Sequence, residues 1–132
     1  AVLRRIRRLF DLDAAPDAVA ACLGDLPHPP GLRVPGAFSG FELGARTVLG
    51  QQVSVRAATT VAGRFAAALG EPLETPFPEL NRLSPTAARV AAATEAEVMA
   101  LGMNGARART LITLARAFQE GAVQLAPHLP PQ

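Results

Sequence analysis

The sequence contains no lysine, no tryptophan and no tyrosine, and only a single cysteine. One thiol cannot make an internal disulfide, which fits a reducing compartment. Cys22 stands among small apolar residues, so it reads as a buried, inert thiol and not as a nucleophile. No stretch approaches the ~20 consecutive apolar residues that a membrane span needs. The arginine-rich opening also lacks the apolar run of a secretory signal, and a cytoplasmic location is therefore expected. No internal repeat and no alternating strand pattern is found. His28, boxed between Pro27 and Pro29, has no second ligand near it and reads as a loop histidine, not a metal site. Net charge is only +2, which excludes an overwhelming basic field.

With lysine missing, every basic residue is arginine. Arg4, Arg5, Arg7 and Arg8 crowd the start of the chain. They could form a phosphate-binding face, but the solvated side of a helix is the preferred reading.

At 132 residues and 13.7 kDa the chain is long enough for one modest core. Val2 to Phe10 has helical spacing, with Val2, Leu3, Ile6, Leu9 and Phe10 expected inward and the arginines outward. It opens without a capping residue or a methionine, from which an earlier start of the protein is expected. Pro16 suits a first helical turn, and a short helix should run to Leu23 with Gly24 as its stop. Residues 25–36 carry Pro27, Pro29, Pro30 and Pro35 and read as a rigid connection. Residues 71–83 read as another. Ser84 followed by Pro85 predicts a capped helix through Val90. Thr94 with Glu97 is a capping box for a short helix to Leu101. Gly102 to Gly105 reads as a tight turn. Ala106 to Glu120 is the clearest helix, with Ala108, Leu111, Ile112, Ala115 and Phe118 on its apolar stripe. The expected fold is all-α, a compact orthogonal bundle of about six or seven short helices forming one domain over 1–132. Leu49, Val61, Phe65, Leu111, Ile112 and Phe118 are expected in its core.

The central stretch 41–58, FELGARTVLGQQVSVRAA, is the most informative. Phe41, Ala45, Val48 and Leu49 fall at i, i+4, i+7 and i+8, the apolar stripe of a helix. Ser39 and Glu42 have capping-box spacing at its start. Gly50 interrupts the pattern, two carboxamides follow, and Ser54 can cap a second helix in which Val55, Ala58, Val61, Ala62 and Phe65 are apolar. The two amides, Gln51 and Gln52, can satisfy open helix-end carbonyls. They can also serve a ligand, since a packing corner has no need of two adjacent amides.

LGQQVSV after an FE..AR..L helix resembles the AlkA-like 3-methyladenine DNA glycosylases of the helix-hairpin-helix superfamily. RLFDLDAAP (8–16), PGLRVPG (30–36) and LGMNGARARTLITLARAF (101–118) agree in order, so the resemblance spans nearly the whole chain. It implies a repair function: flipping an alkylated base out of double-stranded DNA and hydrolysing its N-glycosidic bond, with no metal or organic cofactor and as a monomer. By the same resemblance Gln52 is the wedge that fills the vacated gap. Gln51 lies beside the flipped-base pocket, and Gln51, Gln52, Val53 and Ser54 form the DNA-facing corner. Gly102, Gly105 and Arg107 are candidate phosphate contacts, although in the family this segment precedes the DNA-gripping LPGIG-like hairpin and more often packs.

Several parts that the family uses have no match here. The LPGIG-like hairpin, the aromatic base pocket, the catalytic aspartate and the N-terminal sheet layer find no counterpart. No aspartate follows Asp25, and Glu95, Glu97 and Glu120 take ordinary helix positions. The expectation is a portion of a larger glycosylase that supplies scaffold and wedge, with no catalytic residue of its own. A non-catalytic DNA-binding module and a helical protein-contact domain are the alternatives.

Overall fold

A computed structural model describes residues 2–125. It contains seven helices among those residues, and its only strand-like feature there is an isolated antiparallel bridge between Pro72 and Arg82. The chain clusters into two compact units, Ala1–Ser39 and Gly40–Gln132.

The first unit holds α1 (Val2–Leu9) and α2 (Pro16–Leu23). Pro16 opens α2 and Gly24 ends it with φ 55°, as its residues suggest. Neither helix buries a residue. Val2, Leu3 and Phe10, expected inward, are exposed, Leu3 to 76%. Cys22, expected buried, is exposed as well. The reason is size: two eight-residue helices within 39 residues cannot enclose a core. Polar contacts hold this unit instead. Arg7 pairs with Asp13, and Arg8 Nη2 donates to the carbonyls of Ala37 and Phe38 at 3.2 and 3.4 Å. The Arg5 guanidinium lies 5.1 Å over the Phe38 ring. Arg33 donates to the Asp11 carbonyl, and the Val34 N–H donates to Asp11 Oδ2 at 3.0 Å. Three of the four opening arginines are thus engaged within their own unit.

The second unit holds α3 (Gly40–Gly50), α4 (Val55–Leu69), α5 (Ala87–Ala91), α6 (Glu95–Met99) and α7 (Gly105–Gln119). Ala108, Leu111, Ile112 and Ala115 form one buried stripe of α7, against which α3, α5 and α6 pack. The two alanines keep that stripe low, so that Val90 of α5 and Val98 of α6 are fully enclosed. Leu49, Val61, Phe65, Leu111 and Ile112 are buried as their spacing predicts. Phe118 is half-buried, its ring meeting Phe41 edge-on at 5.5 Å. Each large buried side chain is worth ~2–5 kcal/mol on truncation, and nearly all of that burial lies in this unit.

The connection 71–83 doubles back on itself through Leu73 N–H to Asn81 O and Leu83 N–H to Glu71 O, both 2.9 Å. Gly70 starts it where a Cβ would run into the carbonyls of Leu83 and Ala66. α5 begins two residues later than its sequence suggests. Thr86, not Ser84, is the cap, its Oγ1 accepting the Arg89 N–H at 3.2 Å. Both hydroxyls could serve, and the helix closes on the nearer one, Thr86, which is itself extended as a cap requires. The Thr94–Glu97 capping box is present in both directions. No helix among the described residues is long and apolar enough to cross a membrane.

Candidate nucleic-acid interface

α3 runs through Gly50 and ends there, so the glycine closes the helix instead of interrupting it. The Gln51 N–H reaches back to Val48 O at 3.4 Å, a tightened last turn. Gln52 then adopts φ 55°. That left-handed conformation ordinarily falls to glycine or asparagine at a helix end, and it costs another residue roughly 1–2 kcal/mol. Val53 follows, and Ser54 caps α4 by accepting the Ala57 N–H at 3.3 Å. Gln51, Gln52, Val53 and Ser54 are all exposed. No hydrogen bond to either glutamine side chain is found among the described residues. The amides therefore do not cap the open helix-end carbonyls.

Val48 is buried below this turn, but Val55, expected to point inward, is 84% exposed. The inward stripe of α4 is Val61, Phe65 and Leu69. Val55 lies six positions before Val61, about 240° around the helix, so the stripe turns it outward. Beside it a cavity of about 240 Å³ is lined by residues of α3, the turn and α4, among them Arg46, Leu49, Val53, Val55, Ala58 and Thr59. Arg46 is held on Glu42 at 2.9 Å, an i,i+4 ion pair along α3.

The second candidate turn is built differently. Gly102 takes φ 99°, a conformation that suits glycine alone, and its N–H donates to Met99 O at 2.9 Å. Met103 is buried. Asn104 caps α7 by accepting the Arg107 N–H at 2.9 Å. Gly105 is the first helical residue, close against Glu95. Arg107 Nη2 donates to the carbonyl of Leu49 in the last turn of α3. A partner fifty-eight residues away leaves no local signal in the sequence. Arg109 pairs with Glu95 at 2.7 Å. Glu97 is tied up in the Thr94 capping box, and its hydrogen bonds there, first to the Thr94 backbone and then to its hydroxyl, lower its pKa, with Arg89 adding to the effect. Glu120 is the C-cap of α7. Among the described residues no group of three or more His, Cys, Asp or Glu side chains is placed to hold a metal.

The second unit is all-helical among the described residues and carries an exposed polar turn between α3 and α4; comparison with known proteins gives its class. Residues 45–129 match the HhH-GPD superfamily of base excision DNA repair proteins, and residues 1–39 match the AlkA N-terminal domain. The chain belongs to the HhH-GPD superfamily. Within it, the chain is 44% identical over 124 residues to DNA-3-methyladenine glycosylase 2 of Escherichia coli, a match covering 93% of this chain and 43% of that protein. It is 36% identical over 128 residues to the probable bifunctional transcriptional activator/DNA repair enzyme AlkA of Mycobacterium tuberculosis, covering 92% of this chain and 25% of that one. It thus spans less than half of either relative. Two solved structures share its fold. One is the 3-methyladenine DNA-glycosylase of Archaeoglobus fulgidus, with TM-score 0.67, 19% identity, 87% of this chain and 42% of that one. The other is MBOgg1 in complex with a low-affinity DNA ligand, with TM-score 0.72, 16% identity, 91% of this chain and 43% of that one.

Proposed function

We propose that this chain is the scaffold and wedge portion of a base-excision repair glycosylase that removes alkylated bases, of the 3-methyladenine type, from double-stranded DNA. Family membership and the similarity to E. coli DNA-3-methyladenine glycosylase 2 support the activity. The observation that carries the wedge assignment is the state of Gln52: exposed, in an unfavourable left-handed conformation, its amide with no protein hydrogen-bond partner among the described residues. A solvent-facing side chain held at a cost in backbone strain is placed for something outside the fold. Flipping a nucleotide costs a few kcal/mol, which a side chain filling the gap offsets in part. A glutamine can in addition hydrogen-bond the base left unpaired. Gln51, Val53 and Ser54 set the corner around it.

In this reading residues 1–132 act as one part of a longer, cytoplasmic, monomeric enzyme. An aspartate outside the chain stabilises the developing oxocarbenium charge. The 102–105 turn is kept as a secondary backbone contact to DNA phosphate. The test is base release from duplex DNA containing an alkylated purine. Release by the full-length protein and none by residues 1–132 alone are expected. No release by the full-length protein would overturn the assignment, and release by residues 1–132 would overturn the division of labour.

A further inference from the structure

Arg107 lies in the first turn of α7, where its own helix dipole is unfavourable to a cation. α7 therefore gives no reason for it. α3 does. That helix has no basic residue in its last turn, and its final carbonyls have no following helical N–H groups to accept. Arg107 Nη2 donates to one of them, on Leu49, and brings a positive charge to the negative end of the α3 dipole. Leu49 is two residues before Gln51 and three before the left-handed Gln52. The Arg107 Nε is buried and lacks a hydrogen-bond partner among the described residues. A buried donor without an acceptor lowers stability, so a side chain that only filled this space would serve better as a methionine.

We propose that Arg107 is a positioning residue for the wedge: its grip on Leu49 fixes where α3 ends, and so aims Gln52 outward. This rests on the reading of Gln52 as the wedge. It also gives Arg107 a role different from the phosphate contact expected of it, because its guanidinium is half-buried and already engaged on a protein carbonyl.

The test uses the full-length protein, with affinities for intact duplex and for duplex carrying an abasic-site analogue measured over a salt series. Arg107→Met should lower the preference for the abasic duplex about tenfold, with the intact-duplex affinity and its salt slope unchanged. Gln52→Ala should lower the preference similarly, and the double variant should lose no more than either single one, the non-additivity of residues acting through one another. A merely structural role would instead weaken both duplexes alike and add in the double variant. A salt slope reduced by about 0.9 would make Arg107 a phosphate contact and overturn the proposal. If Gln52→Ala lowers the preference but Arg107→Met does not, the positioning role falls and the wedge stands. If Gln52→Ala has no effect, the wedge reading falls and takes this proposal with it. Should Arg107→Met melt below the assay temperature, Arg107→Lys decides. It keeps the charge but loses the planar fork, so an intermediate preference is expected and an unchanged one overturns the proposal.

Discussion

The two turns of the second unit solve the same problem, joining helices through a left-handed residue, with opposite chemistry. At Gly102 the chain uses the residue the backbone asks for, Met103 is buried beneath it, and Asn104 caps the next helix. At Gln52 the backbone asks for glycine and finds a glutamine, exposed and without a partner among the described residues, between Gln51 and an exposed Val53. The first turn carries the residues that stability asks for. The second carries strain that stability alone would remove, which is the physical mark of a residue kept for binding.

The sharpest way to break this contrast is at Gly102. Gly102→Val puts a branched side chain at φ 99° and should destabilise the unit by ~1–3 kcal/mol in urea unfolding. A change below about 0.5 kcal/mol would mean the turn relaxes freely, and the comparison would fail.

Next come the caps. Ser54→Ala and Asn104→Ala each remove an oxygen that accepts an N–H three residues on. Each should cost about 1 kcal/mol. Similar values are expected because both turns need their caps for the helix that follows, whatever the residues before them do.

Gln52→Gly tests the strained turn directly. It relieves ~1–2 kcal/mol of left-handed strain but frees the unfolded chain by ~0.5–1 kcal/mol. The variant should lie between neutral and about 1.5 kcal/mol more stable, while preference for abasic-site DNA falls. A loss of more than about 1 kcal/mol would show that the amide is structural.

The smallest effect is in pH. Ser54 and Asn104 do not titrate, whereas Glu97 in the neighbouring capping box has its pKa lowered from 4.5 by its bonds to Thr94. A carboxyl with a depressed folded-state pKa contributes stability that is full above its unfolded value and is lost as pH falls through the folded one. Melting temperatures of wild type and Glu97→Gln should therefore converge as pH falls below about 4.5. Parallel curves would remove Glu97 from the pH dependence.

Much of this was legible in the chain itself. Helical spacing placed Leu49, Val61, Phe65, Leu111 and Ile112 in the core, because a 3.6-residue period buries one face whatever packs on it. Pro16, Gly24, Ser54 and the Thr94–Glu97 pair marked helix ends, because capping is settled within about four residues. The pair Gln51–Gln52 stood out for the same local reason: two amides where a helix-end corner needs none.

The residues that depart from their sequence pattern are those whose placement is decided beyond one helical turn. The apolar stripe of α1 is as regular as that of α7, yet a stripe is buried only if something large enough covers it, and the first unit buries none of it. Val55 looked inward because apolar residues surround it in sequence, but the phase of α4 is set by Phe65 and Leu69, a turn or more away. Arg107 reads in sequence as a cation free for phosphate, and only the meeting of α3 with α7 turns it onto Leu49. Local hydrogen bonding and periodicity are properties of the chain and were determined by it. Which stripe is covered, which way a helix-end residue faces and what a long side chain reaches depend on contacts between residues far apart in sequence, and the tertiary structure alone decided those.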